Sequence, residues 1–134
     1  MEMPPLLVEA FDGDDELLQW VGTLLESWQR WIAKHIMEPV SDEAKQRRAE
    51  AWAERLLQTM EAERELPPLL ARRLRATRDA AAGWEQMGRN RRLNHLLTIF
   101  GSRSEAATET QVVRWLDACV AKAESDKRKG RRRE

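Results

Sequence analysis

Several residue types are scarce in this chain, and each scarcity narrows its fold or chemistry. Tyrosine is absent, phenylalanine occurs twice, and the single cysteine, Cys119, excludes an intramolecular disulfide framework. β-Branched residues are few, whereas Ala, Leu, Arg, Glu and Gln abound, and this composition favours helix over strand. The chain shows no long apolar run and no basic leader, so we expect no membrane span, no signal peptide and a reducing cytoplasmic location.

The chain repeats its apolar pattern at an offset of 63 residues. The sequence MPPLL at 3–7 is followed by LPPLL at 66–70. Identical residues recur at the same offset in three further pairs: Ile36 and Ile99, Ser41 and Ser104, and Trp52 and Trp115. Such a period is typical of one supersecondary unit used twice, each unit covering apolar surface that the other leaves open.

This pattern predicts an all-α fold, a compact helical bundle built from two tandem helical repeats of about 60 residues. We expect repeats at 1–63 and 64–125, packed as one domain. Residues 126–134 are predicted to form a disordered tail, because six of the seven residues at 127–133 are basic. Within the first repeat, the three- and four-residue spacing of apolar side chains predicts a single helix from Asp14 to Met37.

The net charge of zero conceals two halves of opposite sign. Residues 1–63 carry 6 Lys or Arg against 14 Asp or Glu, which gives −8, and residues 64–134 carry 17 against 9, which gives +8. Three readings follow: the halves attract each other within one molecule, the acidic half of one copy meets the basic half of the next, or the basic half faces phosphates. We therefore expect a protein partner or self-association through the opposite charges, with nucleic acid as a further possible ligand and no membrane.

Arginine is concentrated between Arg64 and Arg103, where nine Arg occur with no Lys and three acidic residues. Guanidinium groups beside the free N–H groups of a helix start suit phosphate. The alternative is a solvated face paired with the acidic half. The candidate phosphate or nucleic-acid contacts are Arg72, Arg75, Arg78, Arg89, Arg91 and Arg92.

The six tryptophans divide into two sets. Trp20 and Trp31 lie at the edge of the apolar stripe of the predicted 14–37 helix, where they either border the core or form a partner surface. The other four lie on apolar helix faces and are predicted to be core residues: Trp28, Trp52, Trp84 and Trp115.

The sequence predicts no catalytic, cofactor-binding or metal site. His35 lies on the apolar stripe and is interpreted as a core histidine with a hydrogen-bond partner. Cys119 lies on the apolar face of the last helix, without an evident base, and is interpreted as a small core residue. The sequence contains no Gly-rich phosphate loop and no paired-cysteine motif. We therefore expect a protein that works by binding.

Both copies carry a spacing of apolar and basic residues that resembles the helical module of YdeI/OmpD-associated proteins, often called bacteriocin-protection proteins. In the first copy the matching residues are Pro4, Leu7, Ala10, Phe11, Leu24, Arg30, Ile36, Ala44, Lys45 and Arg48. In the second they are Leu66, Pro67, Pro68, Leu70, Leu74, Ala80, Trp84, Met87, Arg92, Ile99, Ser104 and Val112. The module's final Arg is Arg48 in the first copy, whereas Gln111 replaces it in the second.

The resemblance implies an all-helical, non-catalytic binding or adaptor protein in bacterial stress or antimicrobial tolerance. The alternative comes from the charge asymmetry and the arginine cluster. They are similar in style to the helical small subunits of CRISPR effector complexes, which contact RNA or DNA backbone through an Arg-rich face.

Overall fold

The computed structural model describes the backbone of residues 3–133 and the side chains of residues 3–130, and every regular element in that part of the chain is an α-helix. The all-α prediction is therefore confirmed. The residues group into two compact units, Met1–Met60 (unit 1) and Glu61–Glu134 (unit 2). The boundary follows Met60, inside a helix, whereas the sequence pattern places it after Glu63.

Unit 1 contains three short helices and most of a fourth, longer one. Asp14 begins the second helix, because its Oδ1 accepts a hydrogen bond from the Leu17 backbone N–H at 2.9 Å. Ser41 begins the fourth in the same way, accepting from the Ala44 N–H at 3.1 Å. The helices are α1 (Pro5–Ala10), α2 (Asp15–Val21), α3 (Glu26–Met37) and α4 (Asp42–Arg64).

The single helix predicted from Asp14 to Met37 is wrong, since the chain leaves helical geometry between α2 and α3. Gly22 ends α2, and the Thr23 hydroxyl donates to the Trp20 carbonyl at 2.6 Å. Leu25 then precedes α3 with φ −53° and ψ 136°. The apolar spacing continues through the break because Val21 and Leu24 are both buried, and periodicity alone therefore does not reveal it.

Unit 1 buries an apolar core drawn from all four helices. Trp52 on α4 is buried as predicted, whereas Trp28 on α3 is only half-buried. The largest fully buried side chains of this unit are Leu7, Val21, Ile32, Ile36, Leu56 and Thr59.

Unit 2 follows the end of α4 with four more helices. Pro67 and Pro68 begin the first of them, in keeping with the tolerance of proline in a first helical turn. Ser104 begins the last, accepting a hydrogen bond from the Ala107 N–H at 3.1 Å. The helices are α5 (Pro68–Ala76), α6 (Ala80–Gln86), α7 (Arg89–Phe100) and α8 (Glu105–Arg133).

The core of unit 2 is centred on the packing of α6 against α8. Trp84 and Trp115 are both buried, as predicted, and their rings meet edge to face with centroids 5.4 Å apart. Gly83 lets the two backbones approach, because a Cβ at this position would lie 1.7 Å from the carbonyl oxygen of Cys119. Further apolar residues of this core are Leu70, Leu74, Met87, Leu96, Ile99, Val112 and Leu116.

The structure continues α8 to Arg133, which differs from the disordered tail predicted at 126–134. Two ion pairs at the start of this segment accompany the continuation. Lys122 and Asp126 are 3.1 Å apart, one helical turn from each other, and Lys127 lies 3.3 Å from Asp79 in the connection before α6. Composition alone does not report such contacts, because a basic run can extend a helix that has already begun.

Candidate functional site

Unit 1 carries an open cleft of about 560 Å³ lined by α1, α2 and the first turn of α3. Val8 on α1 is 39% exposed and Leu18 on α2 is 36% exposed, although their neighbours Leu7 and Leu17 are buried. The two helices therefore leave apolar side chains uncovered beside one another. The lining residues are Met3, Pro5, Val8, Glu9, Leu18, Gly22 and Gln29.

Gln29 fixes the inner wall of this cleft. Its side chain is buried, and its Nε2 donates to the Leu24 carbonyl at 2.9 Å and to the Gly22 carbonyl at 3.4 Å. These bonds satisfy backbone acceptors at the end of α2 and tie that end to α3. We infer that the cleft is a preformed feature of unit 1.

The cleft lies in the most acidic part of the sequence. The first 29 residues contain seven Asp or Glu and no Lys or Arg. Glu9 contributes directly to the lining, and the α1–α2 connection adds Asp12 and Asp14. Because low-dielectric walls focus the field of nearby charges, the cleft attracts cations. Apolar walls with an acidic border fit a ligand that is both apolar and basic.

A second exposed feature of unit 1 is an aromatic cluster at the contact of α3 with α4. Trp31 is 55% exposed and stacks on His35, with ring centroids 5.8 Å apart. Trp52 meets Trp31 edge to face at 5.4 Å, and its indole N–H donates to His35 Nδ1 at 2.9 Å. The guanidinium carbon of Arg55 lies 4.4 Å from the Trp52 ring centroid, and burial lowers the pKa of this arginine.

The aromatic cluster changes the interpretation of the two tryptophans proposed as a partner surface. Trp20 is half-buried on α2, whereas Trp31 is exposed on α3, so they lie on different helices. His35 has the hydrogen-bond partner that the sequence predicts, although it is half-buried. Trp31 is therefore the better candidate for contact with a partner.

Two of the predicted phosphate-binding arginines of unit 2 make contacts within that unit. Arg89 pairs with Glu63, its Nε lying 2.7 Å from the carboxylate. Arg92 donates through Nε to the Trp84 carbonyl at 2.8 Å and through Nη2 to the Glu85 carbonyl at 2.6 Å. These contacts assign Arg92 a structural role at the end of α6, because they satisfy carbonyls left without helical partners.

The other four candidate arginines are exposed and make no ion pair or side-chain hydrogen bond within the described residues. Arg72 and Arg75 lie three residues apart on α5, and Arg78 follows in the connection to α6, whereas Arg91 lies on α7. Their neighbour Arg73 forms a two-point ion pair with Glu109, both N–O distances being 2.8 Å. The α5 set, Arg72, Arg75 and Arg78, is the local cationic surface of unit 2.

The remaining reactive side chains show no arrangement for catalysis. Cys119 is buried, and burial raises the pKa of its thiol to about 11, an effect that Arg91 and Arg92 only partly oppose. Burial, with a smaller effect of Arg91, lowers the pKa of His95. Among the described residues, no three His, Cys, Asp or Glu side chains lie close enough together to hold a metal ion.

Unit 2 also contains a smaller pocket of about 240 Å³ beside Trp84. Glu63, Arg64, Glu85 and Arg92 contribute both charge signs to its lining. The Arg92 guanidinium lies 5.3 Å from the Trp84 ring centroid, so the ring face is already in contact with a cation of the same chain.

Sequence reasoning did not find the cleft of unit 1. The available signal was the pair Val8 and Leu18, apolar residues in a segment without cations. The break after Gly22, which brings Gln29 to the inner wall, was missed as well.

No described helix combines the length and the apolar character needed to cross a membrane. In comparisons with known proteins, no family model, curated sequence or solved structure matches the chain.

Proposed function

We propose that this protein is a non-catalytic binding or adaptor protein, built from two tandem helical modules of the YdeI/OmpD-associated type. Its unit 1 cleft binds a basic amphipathic helix. The observation that carries this proposal is the exposed apolar pair Val8 and Leu18 in a segment that contains no Lys or Arg before Arg30. A ligand helix with apolar residues on one face and cations beside them matches both properties.

The helix positions support the duplication. The starts of α1 and α5, at Pro5 and Pro68, are 63 residues apart. The same separation holds for Glu26 and Arg89, which begin α3 and α7, and for Asp42 and Glu105, which begin α4 and α8. It is also the offset that the apolar pattern of the sequence has.

Two polar side chains at this offset support the duplication further. Gln29 donates to the carbonyls of Gly22 and Leu24, and Arg92 donates to those of Trp84 and Glu85. Both residues are the fourth of their helix, and both satisfy carbonyls at the end of the preceding helix. Two different residue types perform the same task, which is expected of diverged copies.

The proposed context is bacterial stress or antimicrobial tolerance, as the family resemblance implies. The ligand class agrees with this context, because antimicrobial peptides are commonly amphipathic helices rich in Lys and Arg. The protein then acts by sequestering or presenting such a segment, in the cytoplasm.

The binding proposal is tested with two synthetic helical peptides of about 18 residues, or five turns. Both carry leucines on one face, and the other face carries lysines in one peptide and glutamates in the other. We expect the lysine peptide to bind at least about tenfold more tightly. Fluorescence anisotropy with labelled peptide gives both dissociation constants.

Leu18→Lys should abolish binding of the lysine peptide, because it places a cation in the cleft. Val40→Lys is the matched control, since Val40 lies between α3 and α4 and is 98% exposed. Equal affinity for the two peptides, or full binding by the Leu18→Lys protein, would rule out the cleft as the binding site.

A second candidate function is that of a helical small subunit in a nucleoprotein assembly. The observation that favours it is the α5 set, three exposed arginines without ion pairs inside ten residues of chain. Cations of this kind bind the phosphate backbone in a salt-dependent manner, with about 0.7 counterion released per contact on single strands. The basic residues at 127–133 add to such binding.

The nucleic-acid reading is tested by replacing Arg72, Arg75 and Arg78 together with Glu. The triple variant should lose affinity for single-stranded RNA if the α5 set contacts phosphate. Glu substitutions at Lys34, Lys45 and Arg47 change the charge equally within unit 1 and serve as the control. A variant that ends at Ser125 removes the basic end, and binding lost by that truncation alone would assign the interaction to residues 126–134.

A further inference from the structure

Helix α5 exposes an apolar residue bordered by cations. Leu69, the second residue of α5, is 68% exposed, although the next residue, Leu70, is buried. Arg72 follows one turn later on the same side of the helix, and Arg75 lies one further turn along. Neither arginine has an ion pair within the described part of the chain. The outer face of α5 thus combines uncovered apolar surface with unpaired positive charge.

The cleft of unit 1 has the complementary properties. Val8 and Leu18 offer uncovered apolar surface, and Glu9 lies in the lining. The residues around them include no Lys or Arg before Arg30. A leucine in the cleft removes its own apolar area and that of Val8 and Leu18 from water, at about 25 cal/mol per Å². The flanking arginines meet the acidic border instead of other cations.

We propose that the basic amphipathic helix bound by the cleft is α5 of a second copy of this chain. Leu69 enters between Val8 and Leu18, and Arg72 and Arg75 face Glu9 and the acidic α1–α2 connection. The proposal rests on the ligand class proposed above and names the partner. Because the two surfaces are different, the contact is heterologous, so copies join head to tail into rings or open chains.

Two single substitutions separate the two sides of this contact. Leu18→Lys inactivates the cleft and leaves α5 intact, and Leu69→Lys inactivates α5 and leaves the cleft intact. Both side chains are partly or largely exposed, so both variants should fold, which circular dichroism and thermal melting verify. Val8→Lys is a second cleft variant in case Leu18→Lys unfolds.

The experiment is sedimentation velocity at low salt over a series of protein concentrations. Wild type should form dimers and larger species, and each variant alone should be a monomer. A mixture of the Leu18→Lys and Leu69→Lys proteins should form a 1:1 dimer and nothing larger, because one intact cleft meets one intact α5. Val40→Lys and Val113→Lys, at exposed positions of unit 1 and unit 2, should associate like wild type.

Each other outcome overturns the inference. A monomeric wild type at the highest concentration excludes the self-contact, and if the lysine peptide still binds the cleft, the adaptor function stands with another partner. Association without a 1:1 dimer in the mixture excludes the head-to-tail pairing of these two surfaces. RNA-dependent association that survives Leu69→Lys assigns α5 to nucleic acid instead.

Discussion

At the scale of single residues, Arg92 demonstrates how a cation at a helix start can serve the fold. Its guanidinium donates to two carbonyls at the end of α6 and covers the Trp84 ring. Truncation of Arg92 would leave those carbonyls with fewer partners and expose an indole face. A loss of nucleic-acid binding in an Arg92 variant would therefore not distinguish phosphate contact from unfolding, which is why the tests above use Arg72, Arg75 and Arg78.

His95 makes the stability of the protein depend on pH. Burial and Arg91 lower its pKa below the ordinary 6.5, so the unfolded chain takes up this proton at a higher pH than the folded one. Its contribution to the free energy of unfolding is complete above pH 6.5 and is lost as the pH falls below that value. We expect urea unfolding to show a decrease in stability from about pH 7.5 to about pH 5.5.

The matched variant is His95→Gln, which cannot take up this proton. Its free energy of unfolding should decrease less over the same pH range. If wild type and His95→Gln show the same pH dependence, His95 is not the group responsible.

At the scale of secondary-structure elements, Gly83 determines how closely α6 approaches α8. A Cβ at this position would lie 1.7 Å from the Cys119 carbonyl oxygen, a backbone atom that cannot rotate away. We expect Gly83→Ala to lower the free energy of unfolding by about 3 kcal/mol or more, although alanine is the better helix former. Chemical denaturation followed by circular dichroism measures the change.

Gly130→Ala is the matched control on a helix. Nothing lies within 4 Å of a Cβ at Gly130, so this variant should be as stable as wild type or slightly more stable. A Gly83→Ala protein of wild-type stability would mean that α6 and α8 are farther apart than the structure places them.

Helices with clear punctuation were predictable from the sequence, whereas breaks without it were not. Ser41 and Ser104 begin helices as their residue type predicts, and the proline pairs begin α1 and α5. The break after Gly22 depends on hydrogen bonds from Gln29, a residue seven positions away that sequence spacing does not identify.

The same distinction applies to the candidate site. The acidic composition of the first 29 residues is readable, and so is the arginine density of α5. The exposure of Leu18 and of Leu69 depends on which neighbours cover them, as does the burial of Leu17 and Leu70 beside them. Function at this surface therefore depends on tertiary packing that local patterns do not encode.

At the scale of the whole molecule, the two units have opposite charge on similar helical frameworks. Residues 1–60 carry 6 Lys or Arg and 12 Asp or Glu, which gives −6, and residues 61–134 carry 17 and 11, which gives +6. Apolar positions that recur at the 63-residue offset are constrained by packing, whereas surface positions are free to diverge in charge. Divergence of this kind supplies one molecule with two surfaces that attract each other's counterparts.

The duplication makes a quantitative prediction at identical residues. Ser41 and Ser104 accept the same hydrogen bond, from the backbone N–H three residues later, at 3.1 Å in both units. We expect Ser41→Ala and Ser104→Ala each to cost about 1 kcal/mol, and the two costs to agree within about 0.5 kcal/mol. Ser27→Ala, at an exposed position inside α3, is the control and should change stability by less than about 0.5 kcal/mol. Urea unfolding of the three variants gives these values. Unequal costs at the two caps, with one near zero, would indicate that α4 and α8 begin in different environments and would remove the strongest energetic support for two copies of one module.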